Sequence, residues 1–252
     1  MTQKYVNYAL FGFLGVIAVT FFTRGNIRDV KIIAPEVLTQ PGQYLPQNPE
    51  EIEFVRDGYE YRLTPLYDYE ISGLIVSKMN YKLFSIYRFE SVFPVDLCMI
   101  WGSNVEHGVH RNKDVRFFQD CRWCNVEWQG NVSFNLKEIS NNHLVVSDPS
   151  VERIVNNLVA GDQITIKGKL VAVKATLIKQ KDSQDPKVIT WTSSVSRDDR
   201  GAGACEVIYV EEIRLLRKAN VLSRTLFTFS FWSLAVLLGY KIINFFLGRI
   251  ET

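Results

Sequence analysis

The chain has 252 residues and a formal net charge of +2 at pH 7, so no global field of either sign marks a nucleic-acid or acidic partner. Four cysteines are too few for a disulfide-dense scaffold in a chain of this length. Aromatic residues reach 13%, a value that is typical of a β-rich domain or of membrane interfaces.

The first element is an apolar segment from Tyr5 to Phe22 that contains no charge and has about the length needed to cross a bilayer. A cleaved signal peptide is the alternative. Its basic start would be Lys4 alone, and residues 21–24 form a poor cleavage site because they include two phenylalanines and an arginine. We therefore predict an uncleaved transmembrane anchor over residues 1–24.

Within residues 25–58, the stretch from Asn26 to Glu53 contains five breakers of regular structure: Pro35, Pro41, Gly42, Pro46 and Pro49. Prolines at this density, with polar residues between them, predict an extended stalk. The β-rich soluble domain is predicted over residues 59–218.

The part of that domain whose secondary structure is clearest from the sequence runs from Ser147 to Lys174. Ser147 or Asp148 can cap a short helix that starts at Pro149, and Gly161 ends it. The residues that follow alternate between apolar and polar, which is strand spacing. A helix leading through Gly-Asp into such a strand is common in small OB-type barrels.

Other segments of the domain also have strand character. The strand candidates are residues 59–63, 69–77, 95–101, 117–118, 123–128, 144–146, 176–178, 188–195 and 205–216. We predict a mainly β domain, either an OB-like partly open barrel or a small sandwich with one short helix, flanked by two transmembrane helices.

The second apolar segment runs from about Thr225 to Leu247, within a C-terminal region of residues 219–252 that ends in a short tail. Lys241 lies near its end and could extend toward the headgroups, while Trp232 and Tyr240 are typical interfacial residues. A buried core hairpin is the alternative to two membrane spans.

Two spans place both termini on one side of the membrane and the domain on the other. The cations on the domain side outnumber those on the terminal side: Arg24, Arg28, Lys31, Arg214, Arg217, Lys218 and Arg224 against Lys4, Lys241 and Arg249. This bias favours a cytoplasmic domain, although long loops translocate largely regardless of charge.

Several motifs together resemble a family of uncharacterised bacterial membrane-anchored proteins with an OB-like β domain. They are Val-Asp-Leu with Trp-Gly in residues 94–102, Asn-x-His-Leu in residues 140–144, and Ser-Ser-x-x-Arg-x-Asp with Gly-x-Gly-Ala-Cys-Glu in residues 191–206. Residues 32–43, 69–77 and 161–173 extend the resemblance over most of the soluble region. It implies an exported domain and no established activity. We therefore predict a two-pass protein of the bacterial inner membrane with a periplasmic domain, with a cytoplasmic domain as the alternative.

The cysteines allow three interpretations. Cys121 and Cys124 form a CxxC pair and are disulfide candidates, and an exported domain favours that state. Together with Cys98, Cys205, His107 and His110 they could supply zinc ligands, although no second CxxC follows. A thiol-redox site would need a helix N-terminus, and these residues lie among β-favouring aromatics.

His143 is the candidate general base of a hydrolase. The candidate nucleophiles are Ser193, Ser194 and Ser196, and the candidate orienting residues are Asp198 and Asp199, with Ser194 and Asp198 as the leading pair. No Gly-x-Ser-x-Gly elbow is present, and serines before an acidic turn are ordinary turn formers. Side-chain hydrogen bonding that closes a loop is the alternative role of His143.

The leading functional hypothesis is a β domain that binds another membrane or periplasmic protein and helps to assemble or regulate a membrane complex. The alternative is a membrane-anchored enzyme, either a hydrolase with His143 and Ser194 or a thiol-redox protein with Cys121 and Cys124. No cofactor is predicted apart from the possible zinc. Nucleic-acid binding is disfavoured because aromatic residues do not interleave with the lysines of residues 167–181.

Overall fold

The computed structural model describes residues 3–81, 92–120, 122–181, 183, 185–199 and 204–248. Its helices are α1 (Gln3–Thr23), α2 (Gly102–Glu106), α3 (Pro149–Asn157) and α4 (Val221–Gly248). Its strands are β1 (Gly42–Tyr44), β2 (Ile52–Arg56), β3 (Tyr59–Asn80), β4 (Val95–Ile100), β5 (Val115–Asp120), β6 (Trp123–Trp128), β7 (Ile139–Val145), β8 (Gln163–Leu177), β9 (Val188–Thr192) and β10 (Glu206–Arg217).

Helices α1 and α4 are the two predicted spans, and both are long and apolar enough to cross a membrane. Only 11% of the most apolar stretch of α1 and 6% of that of α4 is buried. The two helices thus differ from the core hairpin of a soluble domain, which would be mostly buried. The helices pack on each other, with the hydroxyl of Thr23 donating to Ser223 (3.1 Å) and Lys241 Nζ donating to Asn7 Oδ1 (2.8 Å). The predicted membrane residues Tyr5, Phe22, Trp232 and Tyr240 are all exposed on them.

Five strands of the domain pair in a closed ring. β3 pairs with β4, β4 with β7, β7 with β10, β10 with β8, and β8 again with β3. Every pair is antiparallel except β7 with β10, which is parallel, and α3 lies between β7 and β8 in the chain. The mainly β architecture is thereby confirmed.

The remaining strands extend this ring. β1 and β2 pair with β3, β9 pairs with β8, and β5 and β6 form a separate hairpin. The core fills the ring with alternate residues of its strands, which include Leu97, Met99, Leu144, Ile164, Ile166 and Ile208. Val151, Val155 and Leu158 of α3 join this core at helical spacing. The side chain of Asp148 accepts from Ser150 N–H (2.7 Å) and caps α3 as predicted.

Residues 25–58, predicted above to form an extended stalk, run along the domain instead of away from it. Val37 is fully buried, Val30 and Ala34 are nearly so, and two short strands of this segment pair with β3. The side chain of Gln163 fixes the segment by accepting from Ala34 N–H and donating to the carbonyl of Ile32 (both 2.7 Å). The prolines break regular elements but leave apolar residues between them, and those residues bind the segment to the barrel.

Candidate functional site

The outer face of β4 and β7 carries the largest group of buried polar side chains on the described strands. Asp96 pairs in register with His143, and Cys98 pairs with Asn141. Since side chains alternate along a strand, these four lie on the face opposite to Leu97 and the barrel core. Three segments of the same chain cover this face: the β5–β6 hairpin, β9 and residues 92–93.

His143 lies at the centre of the cluster and is fully buried. Its ring packs against Phe93 and Trp191, with centroids 5.6 and 5.4 Å away. Its Nδ1 lies 2.8 Å from Oδ1 of Asp96, an ion-pair distance, although neither ring nitrogen has an aligned hydrogen-bond partner. Burial alone would lower the pKa of His143, but the nearby Asp96 carboxylate and Cys205 thiol outweigh burial and raise it to about 9. His143 is therefore protonated at neutral pH.

Asp96 is fully buried and has three partners of opposite or complementary character. The hydroxyl of Tyr81 donates to its Oδ2 (2.8 Å), Arg122 Nη1 lies 3.5 Å from its Oδ1, and His143 is the third partner. Arg122 also covers the Tyr81 ring, 4.2 Å from its centroid. A buried carboxylate is tolerated where cations and donors surround it in this way.

Cys205 precedes β10 and brings a thiol to the same cluster. It is 5% exposed, and its Sγ accepts from Asn141 Nδ2 at 3.5 Å. The sulfur lines a crevice of about 160 Å³ between the hairpin and β7, whose walls include Trp123, Cys124 and Asp199. A thiol, an imidazole and a carboxylate in this order are the groups of a nucleophile, a base and an orienting residue. Only the thiol borders the crevice.

A disulfide joins Cys98 on β4 to Cys124 on β6, with the two Cα atoms 5.5 Å apart. The CxxC spacing predicted that Cys124 pairs with Cys121, and Cys121 lies outside the described residues. The paired strands β5 and β6 pack over β4, where Cys124 and Cys98 belong to the same hydrophobic cluster. Cys124 is therefore close enough to pair with Cys98. The covalent bond fastens the hairpin to the barrel.

A second buried cluster surrounds Arg197. Its guanidinium pairs with Glu206 and donates to the hydroxyl of Tyr69, and it covers the rings of Tyr69 and Trp101 at 5.3 and 5.5 Å. Burial raises the pKa of Glu206 to about 7, against the opposing effect of Arg197. This cluster ties the segment before β10 to β3. Residues 200–203 lie outside the described residues.

The predicted hydrolase residues are not brought together. The hydroxyl of Ser194 donates to Asp199 and to the carbonyl of Ser196 (3.2 Å), and no hydrogen bond links it to His143 within the described structure. Asp198 is exposed and pairs with Lys137. The partners of His143 are Asp96 and Cys205. The sequence reasoning missed Asp96 as a site residue and considered Cys205 only as a zinc ligand. Asp96 was detectable as a lone carboxylate inside the apolar run of β4.

The predicted zinc ligands are also dispersed. His107 is exposed, and His110 is buried and donates from Nε2 to the carbonyl of Val30 (3.1 Å). Cys98 and Cys124 are bonded to each other, so neither provides a thiolate ligand. Among the described residues no group of three His, Cys, Asp or Glu side chains could hold a metal ion.

Comparisons with protein-family profiles, curated protein sequences and solved structures found no match to this chain.

Proposed function

We propose that this is a two-span protein of the bacterial inner membrane whose OB-type barrel binds another membrane or periplasmic protein and helps to assemble or regulate a complex. The ring order supports the OB assignment, because the OB fold is a five-stranded Greek-key barrel. The parallel pairing of β7 with β10 and the helix between β7 and β8 suit the same arrangement.

The Cys98–Cys124 disulfide supports a periplasmic domain. Disulfides persist in oxidising compartments and are rare where thiol reductants keep cysteines reduced. The flanking cations oppose this orientation, but the rule that relates them to topology is weak for a loop of this length.

One observation carries the proposal of protein binding. OB domains bind ligands on the face of their second and third strands, which correspond here to β4 and β7. The chain covers that face with its own β5–β6 hairpin, so Asp96 and His143 are inaccessible. The outer surface of the hairpin replaces the covered face. It exposes two tryptophans, Trp123 and Trp128, each 40% exposed. Tryptophan is enriched at the energetic centres of protein interfaces.

The test is site-specific photo-crosslinking in living cells. A photoreactive amino acid at Glu127, which lies on the exposed hairpin, is compared with the same group at Lys174, which is exposed on β8. We expect one discrete protein adduct from Glu127 and none of that mass from Lys174.

The double substitution Trp123→Ser and Trp128→Ser, made with the crosslinker at Glu127, tests the role of the aromatic side chains. We expect it to abolish the adduct while the Cys98–Cys124 disulfide still forms. The same adduct from both crosslinker positions, or an adduct indifferent to the tryptophans, would contradict the proposal.

The Cys205–His143–Asp96 arrangement favours a second candidate, a membrane-anchored thiol enzyme. In this candidate His143 is the acid–base group beside Cys205, and Asp96 orients the imidazole ring. The nucleophile would then be Cys205, in place of the predicted Ser194 or CxxC pair.

The rate of alkylation by iodoacetamide at pH 7 tests this candidate in the folded Cys121→Ser variant. An activated Cys205 is alkylated at neutral pH, and His143→Gln lowers the rate by about tenfold or more. If Cys205 reacts only after unfolding, the thiol is structural and the enzyme candidate fails.

A further inference from the structure

A cavity of about 680 Å³ lies where the β domain meets helix α4. Its domain side is formed by Ile154 and Leu158 of the α3 region and by Leu215 at the end of β10. Its other side is formed by Thr225, Thr228 and Phe229 in the first turns of α4. We call this cavity the junction groove.

The junction groove is apolar along α4 and open to the surroundings of that helix. Phe229 is 62% exposed, and Ile154 and Leu215 are about 40% exposed. Single apolar side chains at a surface are ordinary, but a continuous apolar groove at the base of a span borders the lipid leaflet. With α4 inserted as in the proposed function, acyl chains and headgroups would lie next to the groove.

Positive charge around the groove exceeds negative charge. Lys218 and Arg224 line the groove, and Lys78 and Arg24 lie close enough to Arg224 for mutual repulsion. Asp162 is the one carboxylate among the described lining residues, and its oxygens already accept from Arg224 (2.7 and 2.9 Å), Ala219 N–H and Val159 N–H. The described lining of the groove thus carries two cations and one carboxylate whose oxygens are already occupied.

The pKa values of two cations near the groove, Lys78 and Arg24, are lowered. Lys78 donates to the carbonyls of Val155, Asn156 and Leu158 (2.8–2.9 Å), yet burial and Arg224 lower its pKa to about 8. Burial and the neighbouring Arg224 also lower the pKa of Arg24. A bound anion near Arg224 would offset the part of each pKa shift that comes from Arg224, but not the larger part that comes from burial.

We propose that the junction groove binds one anionic phospholipid, with its phosphate between Lys218 and Arg224 and an acyl chain along Phe229. The inference rests on the membrane insertion in the proposed function. A lipid is favoured over a free phosphate because the groove joins a basic end to an apolar end. It is favoured over a protein segment because the apolar end lies on the lipid-exposed side of α4.

Lipid binding to the full-length protein is measured by native mass spectrometry in detergent micelles. Phosphatidylglycerol and phosphatidylcholine are titrated separately into the wild type and three variants. Lys218→Gln removes a groove cation, Thr228→Phe fills the apolar end, and Lys174→Gln is the matched control on the far wall of the barrel. Lys218, Thr228 and Lys174 are all exposed, so these substitutions leave the core intact.

We expect one phosphatidylglycerol to bind more tightly than phosphatidylcholine. Lys218→Gln should weaken it about fivefold, which is the contribution of one juxtamembrane cation. Thr228→Phe should abolish the one-to-one complex, and Lys174→Gln should leave it unchanged. Equal binding of the two lipids, equal effects of the two lysine variants, or displacement of the lipid by inorganic phosphate would overturn the proposal.

Extraction of membranes with alkaline carbonate separates this inference from the proposed insertion. A protein that stays in the membrane but shows no lipid selectivity retains its two spans and loses only the lipid site. A protein that carbonate releases lacks the spans themselves.

Discussion

Arg224 at the start of helix α4 donates from Nη1 to both carboxylate oxygens of Asp162, a fully buried residue at the base of the barrel. Nearby, Asn220 Nδ2 donates to the carbonyls of Arg24 (3.3 Å) and Asn26 (3.0 Å). These bonds connect the segment before α4 to the segment after α1. The domain is therefore fixed to its spans by side chains and does not hang from flexible linkers.

Asp162→Asn should destabilise the chain strongly, because it leaves Arg224 and a backbone donor without their carboxylate. Removing one partner of a buried ion pair costs about 3–5 kcal/mol. We expect the lower value here, because the Arg224 side chain is 22% exposed. Thermal unfolding in detergent, followed by circular dichroism, measures this loss. Glu53→Gln breaks the exposed ion pair with Arg62 and should change the midpoint very little. Equal shifts for the two variants would show that the Asp162 pair is not structural.

The stability that His143 contributes should decline from about pH 6.5 to about pH 9. Its pKa is raised in the folded chain, so protonation favours folding, and the stabilisation is complete below the unfolded value and lost as pH rises through the folded value. The shift corresponds to ~3 kcal/mol at most. Denaturant titrations of the wild type and His143→Gln at several pH values give this difference directly.

His110→Gln is the control for that pH series. Burial lowers the pKa of His110, so its protonation disfavours the folded state and its effect is confined to pH values below about 6.5. The difference between wild type and His110→Gln should be flat from pH 6.5 to 9. A flat profile for His143→Gln as well would mean that the Asp96 pair does not hold the proton.

A membrane-impermeant maleimide should label the Cys121→Ser protein in intact cells after mild reduction and not before. Cys98 and Cys124 are bonded to each other, and Cys205 is buried, so no thiol is accessible until the disulfide opens. Mass spectrometry should locate the label on Cys124, which is half-buried. Labelling that requires cell lysis would place the domain in the cytoplasm, and labelling of Cys98 or Cys124 without reduction would rule out the disulfide.

Gly168→Ala should disrupt the contact between β8 and β10. A Cβ at Gly168 would lie 2.0 Å from the carbonyl oxygen of Tyr209, which is backbone and cannot rotate away. We expect a loss of about 3 kcal/mol or more, since overpacking here forces two paired strands apart. Gly25→Ala is the matched substitution, because its nearest neighbours are 3.9 Å away, and it should be neutral. Similar unfolding midpoints for both variants would contradict the register of this pair.

Local features of the chain were predictable from its residues. The two uncharged apolar runs, the Asp148 cap and Pro149 start of α3, and the strands 95–101 and 205–216 all correspond to described elements. Each is determined within one segment, by length, capping chemistry or side-chain period. The stalk was misjudged because prolines report breaks in regular structure and not the burial of Val37 between them.

The sequence alone therefore determined the membrane-length helices and the β character of the domain, because both depend on hydrophobicity and period along the chain. Only the tertiary structure decided that β8 returns to β3 to close the ring, that Cys98 pairs with Cys124, and that Asp96 meets His143. These contacts join segments from 26 to more than 100 residues apart. Their register is set by the packing of the whole barrel, and no local pattern encodes which distant strand becomes the neighbour.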